Sequence, residues 1–332
     1  MTQAHQSSWK EDLGNALDAW SSESSNVILS ADVDGLLSCA LVASRYPTNV
    51  IGVYTTTHLV LLDGATPNDA AKALWLDHDV SQMGVRCIGQ HLVHHMPEDL
   101  LPLREPQSFN PNVWVKQSWK HSFSGRAGKK RDKYPYGTCH FLANAFDFKI
   151  PNLDSSVACL FAHADGTWRT VVDYAPNATI WYDLMFEGDQ FLLALREQWH
   201  LDTALKQRHW EEVEQLLRIG VKNAVSRSKI AILLPPDDQR ITGRQSVSFQ
   251  GTNRQASIDR TRALLVHCSE AVGSEATMGE TVTSVISGTH ESFYPNRVED
   301  FDELMVENQI FSHAFTDLRT LRFTTGIHLV GE

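Results

Sequence analysis

Acidic and histidine side chains recur directly after short apolar runs in the N-terminal half of the sequence. Carboxylates and imidazoles are the ligands that Mn²⁺, Fe²⁺ and Zn²⁺ take in proteins, and Mg²⁺ takes the carboxylates. Histidines are also concentrated there, because seven of the fifteen fall between residues 78 and 163. The pattern predicts a metal site. Its most prominent members are Asp32, Asp34, Asp77, His94 and His95.

Two of these carboxylates share one turn. Asp32 and Asp34 stand two residues apart in Asp-Val-Asp-Gly, ahead of the helix-like segment Leu36–Arg45. Gly35 lets the backbone turn tightly, and alternate residues diverge, so the two side chains can reach different cations. Asp77 could bridge them, and two cations about 3.5–4 Å apart lower the pKa of a bridging water and clamp a phosphoryl group. Each aspartate taken alone could instead be a helix cap.

The apolar runs that carry these residues read as strands alternating with helices. The alternation predicts an α/β fold with an open, mostly parallel sheet, in which ligands bind beyond the carboxyl ends of the strands. Predicted helices lie within 1–25, in Leu36–Arg45, in Tyr136–Phe146 and in 189–226, with one more near 298–307. Predicted strands are Val27–Ser30, Val50–Tyr54, the runs that end at Asp77 and at His94, Val157–Phe161, Ile230–Leu234, Ala263–Val266, Thr281–Ile286 and Leu321–Leu329.

Length and composition limit the classes of protein. The 332 residues are enough for about two domains. We predict a domain over 1–185, a helical linker over 186–228, and a second, smaller α+β domain over 229–332. Five scattered cysteines without a Cys-x-x-Cys pair favour a reducing cytoplasm over a disulfide framework or zinc ribbon. No apolar run approaches the length of a membrane span, so no membrane partner is expected. The net charge of −11 argues against coating nucleic acid by charge alone.

The order and spacing of several motifs resemble the DHH phosphoesterase superfamily, and within it the RecJ-type single-strand exonucleases. The likeness covers roughly residues 26–185, and no single motif is diagnostic. The motifs are Asp32-Val-Asp34-Gly35, Leu-Trp-Leu-Asp77, Val93-His94-His95-Met-Pro97-Glu-Asp99-Leu-Leu-Pro102, Asn110-Pro111-Asn112, Tyr136-Gly137-Thr138 and Ala164-Asp165-Gly166-Thr167.

The resemblance implies a DHH-type N-terminal domain with two Mn²⁺ or Mg²⁺ ions and a bridging hydroxide as nucleophile. It assigns a catalytic role to Asp77, to His94 and to His95, which would contact the scissile phosphate. Asp77 would bridge the two ions, and Asp165 would end its own strand. The implied metal ligands are Asp32, Asp34, Asp77, His94 and Asp165.

The sequence also departs from the family at several positions. Val93 stands in place of the aspartate of Asp-His-His, which removes a partner for a histidine and can cost about 10–100-fold in metal affinity or activity. Ser30 stands where RecJ-type proteins often have another aspartate. His78 is a candidate substitute ligand or outer partner. His91 is more simply explained as a core or surface histidine than as a site residue.

A basic segment follows the third motif. Lys116–Lys133 holds seven basic residues and one acid, with aromatic residues that could stack on unpaired bases. A solvated loop explains the same composition. The predicted substrate-binding residues are Asn110, Arg126, Lys129, Lys130 and Arg131.

These features support three functional hypotheses. The first is a metal-dependent phosphodiesterase, a nuclease or exonuclease on single-stranded DNA or RNA or on short oligonucleotides. The second is a phosphatase or phosphodiesterase for small substrates such as cyclic dinucleotides, nucleotides or polyphosphate. The third, motivated by Val93, is a degenerate DHH subunit that forms a homo-oligomer or assembles with a DNA translocase or helicase.

Overall fold

The computed structural model describes residues 3–30, 32–82, 84–91, 108–115, 133–151, 155–197, 254–293, 310–315 and 321–329. No helix in these ranges is both long enough and apolar enough to cross a bilayer. The helices are α1 Gln3–Glu23, α2 Val33–Ala43, α3 Pro67–Lys72, α4 Pro111–Trp114, α5 Thr138–Ala145, α6 Ser156–His163, α7 Thr167–Asp173, α8 Ala175–Met185, α9 Gln190–Glu197 and α10 Arg254–Val272. The strands are β1 Asn26–Ser30, β2 Asn49–Tyr54, β3 His58–Leu62, β4 Leu74–Leu76, β5 Arg86–Ile88, β6 Ser108–Phe109, β7 Thr277–Met278, β8 Val282–Ser287, β9 Thr289–Phe293, β10 Ser312–Phe315 and β11 Leu321–Thr325.

The larger sheet has β1 near its centre and is mostly parallel. Its strand order is β6-β5-β4-β1-β2-β3-β8, with β7 pairing with β2. The pairs from β6 to β2 are parallel, whereas β3 pairs antiparallel with β2 and with β8. The predicted α/β class with a mostly parallel sheet is therefore confirmed. The carboxyl ends of β1, β4 and β5 meet at one edge, where the polar residues that follow them lie.

Alternating side chains bury the central strands from both sides. Val27 and Leu29 of β1 point into the core on the side of α1 and α2, whereas Ile28 points into the core on the other side. On that second side, the ring of Tyr54 meets those of Trp75 and Phe311 edge to face, with centroids 5.6 and 5.5 Å apart. Because both faces are covered, the strands read in the sequence as continuous apolar runs.

Two predicted strands are wrong. Val157–Phe161 lies in α6, and Ser155 just before this helix caps it, because its hydroxyl accepts the N–H of Ala158. Ala263–Val266 lies inside the 19-residue helix α10. Short apolar runs fit a buried helix as well as a buried strand, and in both segments the longer helical context decides.

The described C-terminal segments contribute to both sheets. β7 and β8 belong to the larger sheet, and α10 packs on α2. β9, β10 and β11 form a second, antiparallel sheet in the order β10-β11-β9. The predicted strand Ile230–Leu234 and the predicted helix near 298–307 lie outside the described residues. So does the predicted boundary near residue 228, and the division into domains stays a prediction.

Candidate metal centre

The turn between β1 and α2 supplies two carboxylates in different settings. Asp32 caps α2, since its extended backbone (φ −140°) lets its carboxylate accept the N–H of Gly35 at 3.1 Å. Asp34 lies one residue into the helix and is 1% exposed. Its two oxygens accept the N–H groups of Thr138 and Cys139, each at 2.8 Å. Asp34 therefore holds the N-terminus of α5 against α2.

Gly137 explains how α5 comes so close to Asp34. A Cβ added at this glycine would lie 2.7 Å from both carboxylate oxygens of Asp34. A residue with a side chain would therefore push the helix terminus away from the carboxylate. The close approach gives a physical reason for a glycine in the Tyr-Gly-Thr motif.

Asp77 follows β4 in the left-handed backbone region, with φ 60°, and is 2% exposed. Its Oδ1 accepts the hydroxyl of Thr138 at 2.9 Å, and its Oδ2 lies 2.8 Å from the hydroxyl of Ser30. The same hydroxyl lies 2.7 Å from Oδ1 of Asp32. Ser30 thus links the carboxylates that follow two neighbouring strands.

Asp165 reaches the cluster from a helical region rather than from a strand, so its expected position at a strand end is wrong. It sits in the 3₁₀ turn Ala164–Gly166 between α6 and α7, with φ 52°. Gly166 follows with φ 68°. Oδ2 of Asp165 accepts a hydrogen bond from the side-chain amide of Gln90.

The charges of these four aspartates act on one another. Burial raises the pKa of Asp34 well above its ordinary value, and the charges of Asp77, Asp165 and Asp32 raise it further, against the lowering effect of the Cys139 N–H. The structure therefore brings together all four aspartates that the sequence predicts as ligands. Unfavourable repulsion among carboxylates is what a bound cation relieves.

His91 adds an imidazole to the cluster. Its Nε2 lies 3.3 Å from Oδ1 of Asp77, and its side chain is 23% exposed. Burial alone would lower the pKa of His91, but the hydrogen bond and charge of Asp77 outweigh it, so the pKa is raised. His91 thus lies at the candidate site, although the sequence favoured a core or surface histidine.

His78, in contrast, points into the core on the other face of the sheet. Its Nε2 lies 3.1 Å from the carbonyl oxygen of Tyr54, and the two rings meet edge to face at 4.8 Å. Burial lowers the pKa of His78 to about 4, so the ring is neutral at neutral pH. These contacts indicate a structural role.

Asn110 lies in a buried hydrogen-bond network beside the cluster. Its amide donates to Oδ1 of Asp79 at 3.1 Å, and its carbonyl oxygen accepts the N–H of Asn112 at 2.9 Å. Asn112 in turn donates to the backbone carbonyl of Gln90 at 3.0 Å. The other predicted site residues, His94, His95, Arg126, Lys129, Lys130 and Arg131, lie outside the described residues.

The carboxylates face one another but do not form a closed ligand set. Within the described ranges, no group of three or more His, Cys, Asp or Glu side chains is arranged to hold a metal ion by itself. Their oxygens accept protein hydrogen bonds, and a carboxylate oxygen that accepts one such bond keeps a second lone pair for a cation. Carboxylate oxygens are hard donors that suit Mn²⁺ or Mg²⁺, so these residues fit such ions chemically.

No protein-family model, curated protein or solved structure shows a significant match to this chain.

Gln90 was not predicted as a site residue, and Thr138 was predicted only as part of the Tyr-Gly-Thr motif. The signal for Thr138 was the Tyr-Gly-Thr turn. Gln90 had no signal of its own, because its contact with Asp165 joins segments 75 residues apart.

Proposed function

We propose that this protein is a divalent-metal-dependent phosphodiesterase, a nuclease acting from a free end on single-stranded DNA or RNA or on short oligonucleotides. The observation that carries the proposal is the convergence of Asp32, Asp34, Asp77 and Asp165, with the pKa of Asp34 raised by burial and by the other three charges. The DHH-like order of the motifs supports the same activity.

Two Mn²⁺ or Mg²⁺ ions at such a centre would lower the pKa of a bound water and neutralise charge on a phosphoryl group. Asp32, Asp34, Asp77 and Asp165 would hold these ions, together with His94. Ser30 and Thr138 fix the two oxygens of Asp77, the proposed bridging ligand. Gly137 and the N-terminus of α5 fix Asp34. Contact with the scissile phosphate is assigned to His95.

The direct test is a nuclease assay on single-stranded and duplex DNA and RNA, with Mn²⁺ or with a chelator. Asp77→Asn and Asp165→Asn keep the side-chain shape, and asparagine tolerates the left-handed backbone of both positions. We expect activity to fall by more than about 100-fold, beyond the loss typical of a residue that only supports a metal ligand.

A matched control comes from Asp147. It also has a positive φ of 54°, and its exposed carboxylate pairs only with Lys10 at 3.1 Å among the described contacts. Asp147→Asn should leave activity unchanged. Full activity of Asp77→Asn and Asp165→Asn, with the fold retained, would refute the proposed function.

Substrate length separates the nuclease from a small-substrate phosphatase. Replacing Lys129, Lys130 and Arg131 together by alanine should raise KM for an oligonucleotide and weaken its dependence on salt, because fewer phosphates are neutralised. A dinucleotide substrate should be less affected. Turnover of mononucleotide-sized substrates alone would favour the phosphatase.

A further inference from the structure

The chain leaving β5 is fixed by a buried acid. Asp79 is 3% exposed, and a Cβ on Gly89 would lie 2.6 Å from its carboxylate. Asp79 accepts the backbone N–H of His91 at 2.8 Å and the amide of Asn110 at 3.1 Å. The backbone of residues 89–91 is therefore held against Asp79.

A second contact fixes Gln90, which lies between Gly89 and His91. Asn112 is fully buried and donates to the backbone carbonyl of Gln90, while its own carbonyl oxygen accepts the N–H of Tyr134 at 2.6 Å. With the backbone fixed in this way, the side chains of Gln90 and His91 extend towards the carboxylates. Gln90 donates to Asp165, and His91 lies 3.3 Å from Asp77.

We propose that Gln90 and His91 are positioning residues, which hold Asp165 and Asp77 in place. The inference rests on the proposed function, because it takes Asp77 and Asp165 as metal ligands. Each side chain supports one ligand, and one anchored tripeptide carries both. Hydrogen-bonded partners of this kind orient metal ligands and tune their affinity.

The experiment measures Mn²⁺ affinity by EPR titration for the full-length wild-type protein and three variants. His91→Ala removes the donor to Asp77. His91→Gln keeps an N–H donor that reaches nearly as far from the backbone as Nε2 of histidine. The control is His328→Ala, which removes an exposed histidine far along the chain. Circular dichroism and the metal-free unfolding midpoint report on the fold.

We expect His91→Ala to weaken Mn²⁺ binding by about 10–100-fold, the range for partners of metal ligands. His91→Gln and His328→Ala should bind as the wild type does. Pulsed EPR of bound Mn²⁺ should show the same nitrogen coupling in His91→Gln as in the wild type, because His91 is not itself a ligand.

Four results would overturn the inference. Unchanged affinity in His91→Ala means that His91 supports no ligand. Loss of affinity and of nitrogen coupling in His91→Gln makes His91 a metal ligand instead. If His91→Ala does not fold, Gln90→Leu makes the corresponding test at Asp165, and unchanged Mn²⁺ affinity there also contradicts the inference. A wild-type protein that binds no Mn²⁺ refutes the proposed function as well, so the two failures are distinguishable.

Discussion

Asp34 is the residue at which folding and the proposed chemistry conflict most directly. It is buried beside other carboxylates, and yet it anchors α5 through two backbone N–H groups. A position that served stability alone would not gather four acids, since repulsion among buried charges costs free energy. The conflict is one reason for proposing a cation at this place in the molecule.

The raised pKa of Asp34 predicts how the metal-free protein responds to pH. Between the ordinary carboxyl range and the raised value, the folded state binds more protons than the unfolded chain, so the free energy of unfolding falls as pH rises. We expect this loss of stability in urea unfolding at several pH values with a chelator present. Asp77→Asn removes a charge next to Asp34, so the free energy of unfolding of this variant should fall less as pH rises. Equal pH dependence in the two proteins would contradict this account.

Gly137 provides a second prediction at the scale of one residue. In Gly137→Ala the new methyl group meets the carboxylate of Asp34, so we expect unfolding to become easier by about 1–3 kcal/mol and metal-dependent activity to fall. Gly14→Ala is the matched control. A Cβ at Gly14 in α1 meets nothing within 4 Å, and the substitution should stabilise the helix by about 0.5–1 kcal/mol. Equal effects of the two substitutions on stability would count against the steric argument.

Among the elements, α1 packs against α5, the helix whose N-terminus holds Asp34. Trp9 stacks on Phe141 of α5 with ring centroids 4.9 Å apart, and Nζ of Lys10 donates to the carbonyl of Asn144 at 2.6 Å. Because the first turn of α5 holds Asp34, packing at the middle of α5 helps to fix that carboxylate.

The two contacts of α1 should differ greatly in energy. We expect Trp9→Ala to cost about 3–5 kcal/mol of unfolding free energy in denaturant titrations, as for other buried tryptophans. Lys10→Ala removes a part-buried hydrogen bond to the carbonyl of Asn144 and an ion pair with the exposed Asp147, and should cost about 0.5–2 kcal/mol. Comparable losses would mean that Trp9 contributes little through burial.

The elements also show what the sequence could and could not predict. Val27–Ser30 and Val50–Tyr54 were predictable because each is a β-branched, apolar run that ends in polar residues. Val157–Phe161 is also an apolar run, but it has only one β-branched residue, and Ser155 caps it as a helix. Asp32, Asp34 and Asp77 could be identified from their places after strands, whereas Gln90 reaches the site only through tertiary contacts.

For the whole molecule, the described C-terminal segments complete the large sheet. β3 is buried throughout and pairs with β2 on one side and β8 on the other. α2, which carries Asp34, packs against α10. Loss of the chain beyond residue 228 would expose the edge of β3 and one face of α2.

We therefore expect a fragment of residues 1–228 to lack a stable fold, although the sequence places a domain boundary there. Circular dichroism and gel filtration should show aggregation or the absence of a cooperative unfolding transition. A soluble fragment with a sharp transition would instead support the predicted boundary. The full-length chain is the reference for both measurements.

The two sheets are joined by a short junction. β8 and β9 are separated by Gly288 alone, whose N–H donates to the carbonyl of Thr57 at 2.7 Å. Val80, which follows Asp77 by three residues, also forms a β-bridge with Ser312 of the small sheet. The small sheet is therefore attached to the large sheet at two places, along the backbone at Gly288 and through the bridge at Val80, and the second attachment lies close in sequence to Asp77.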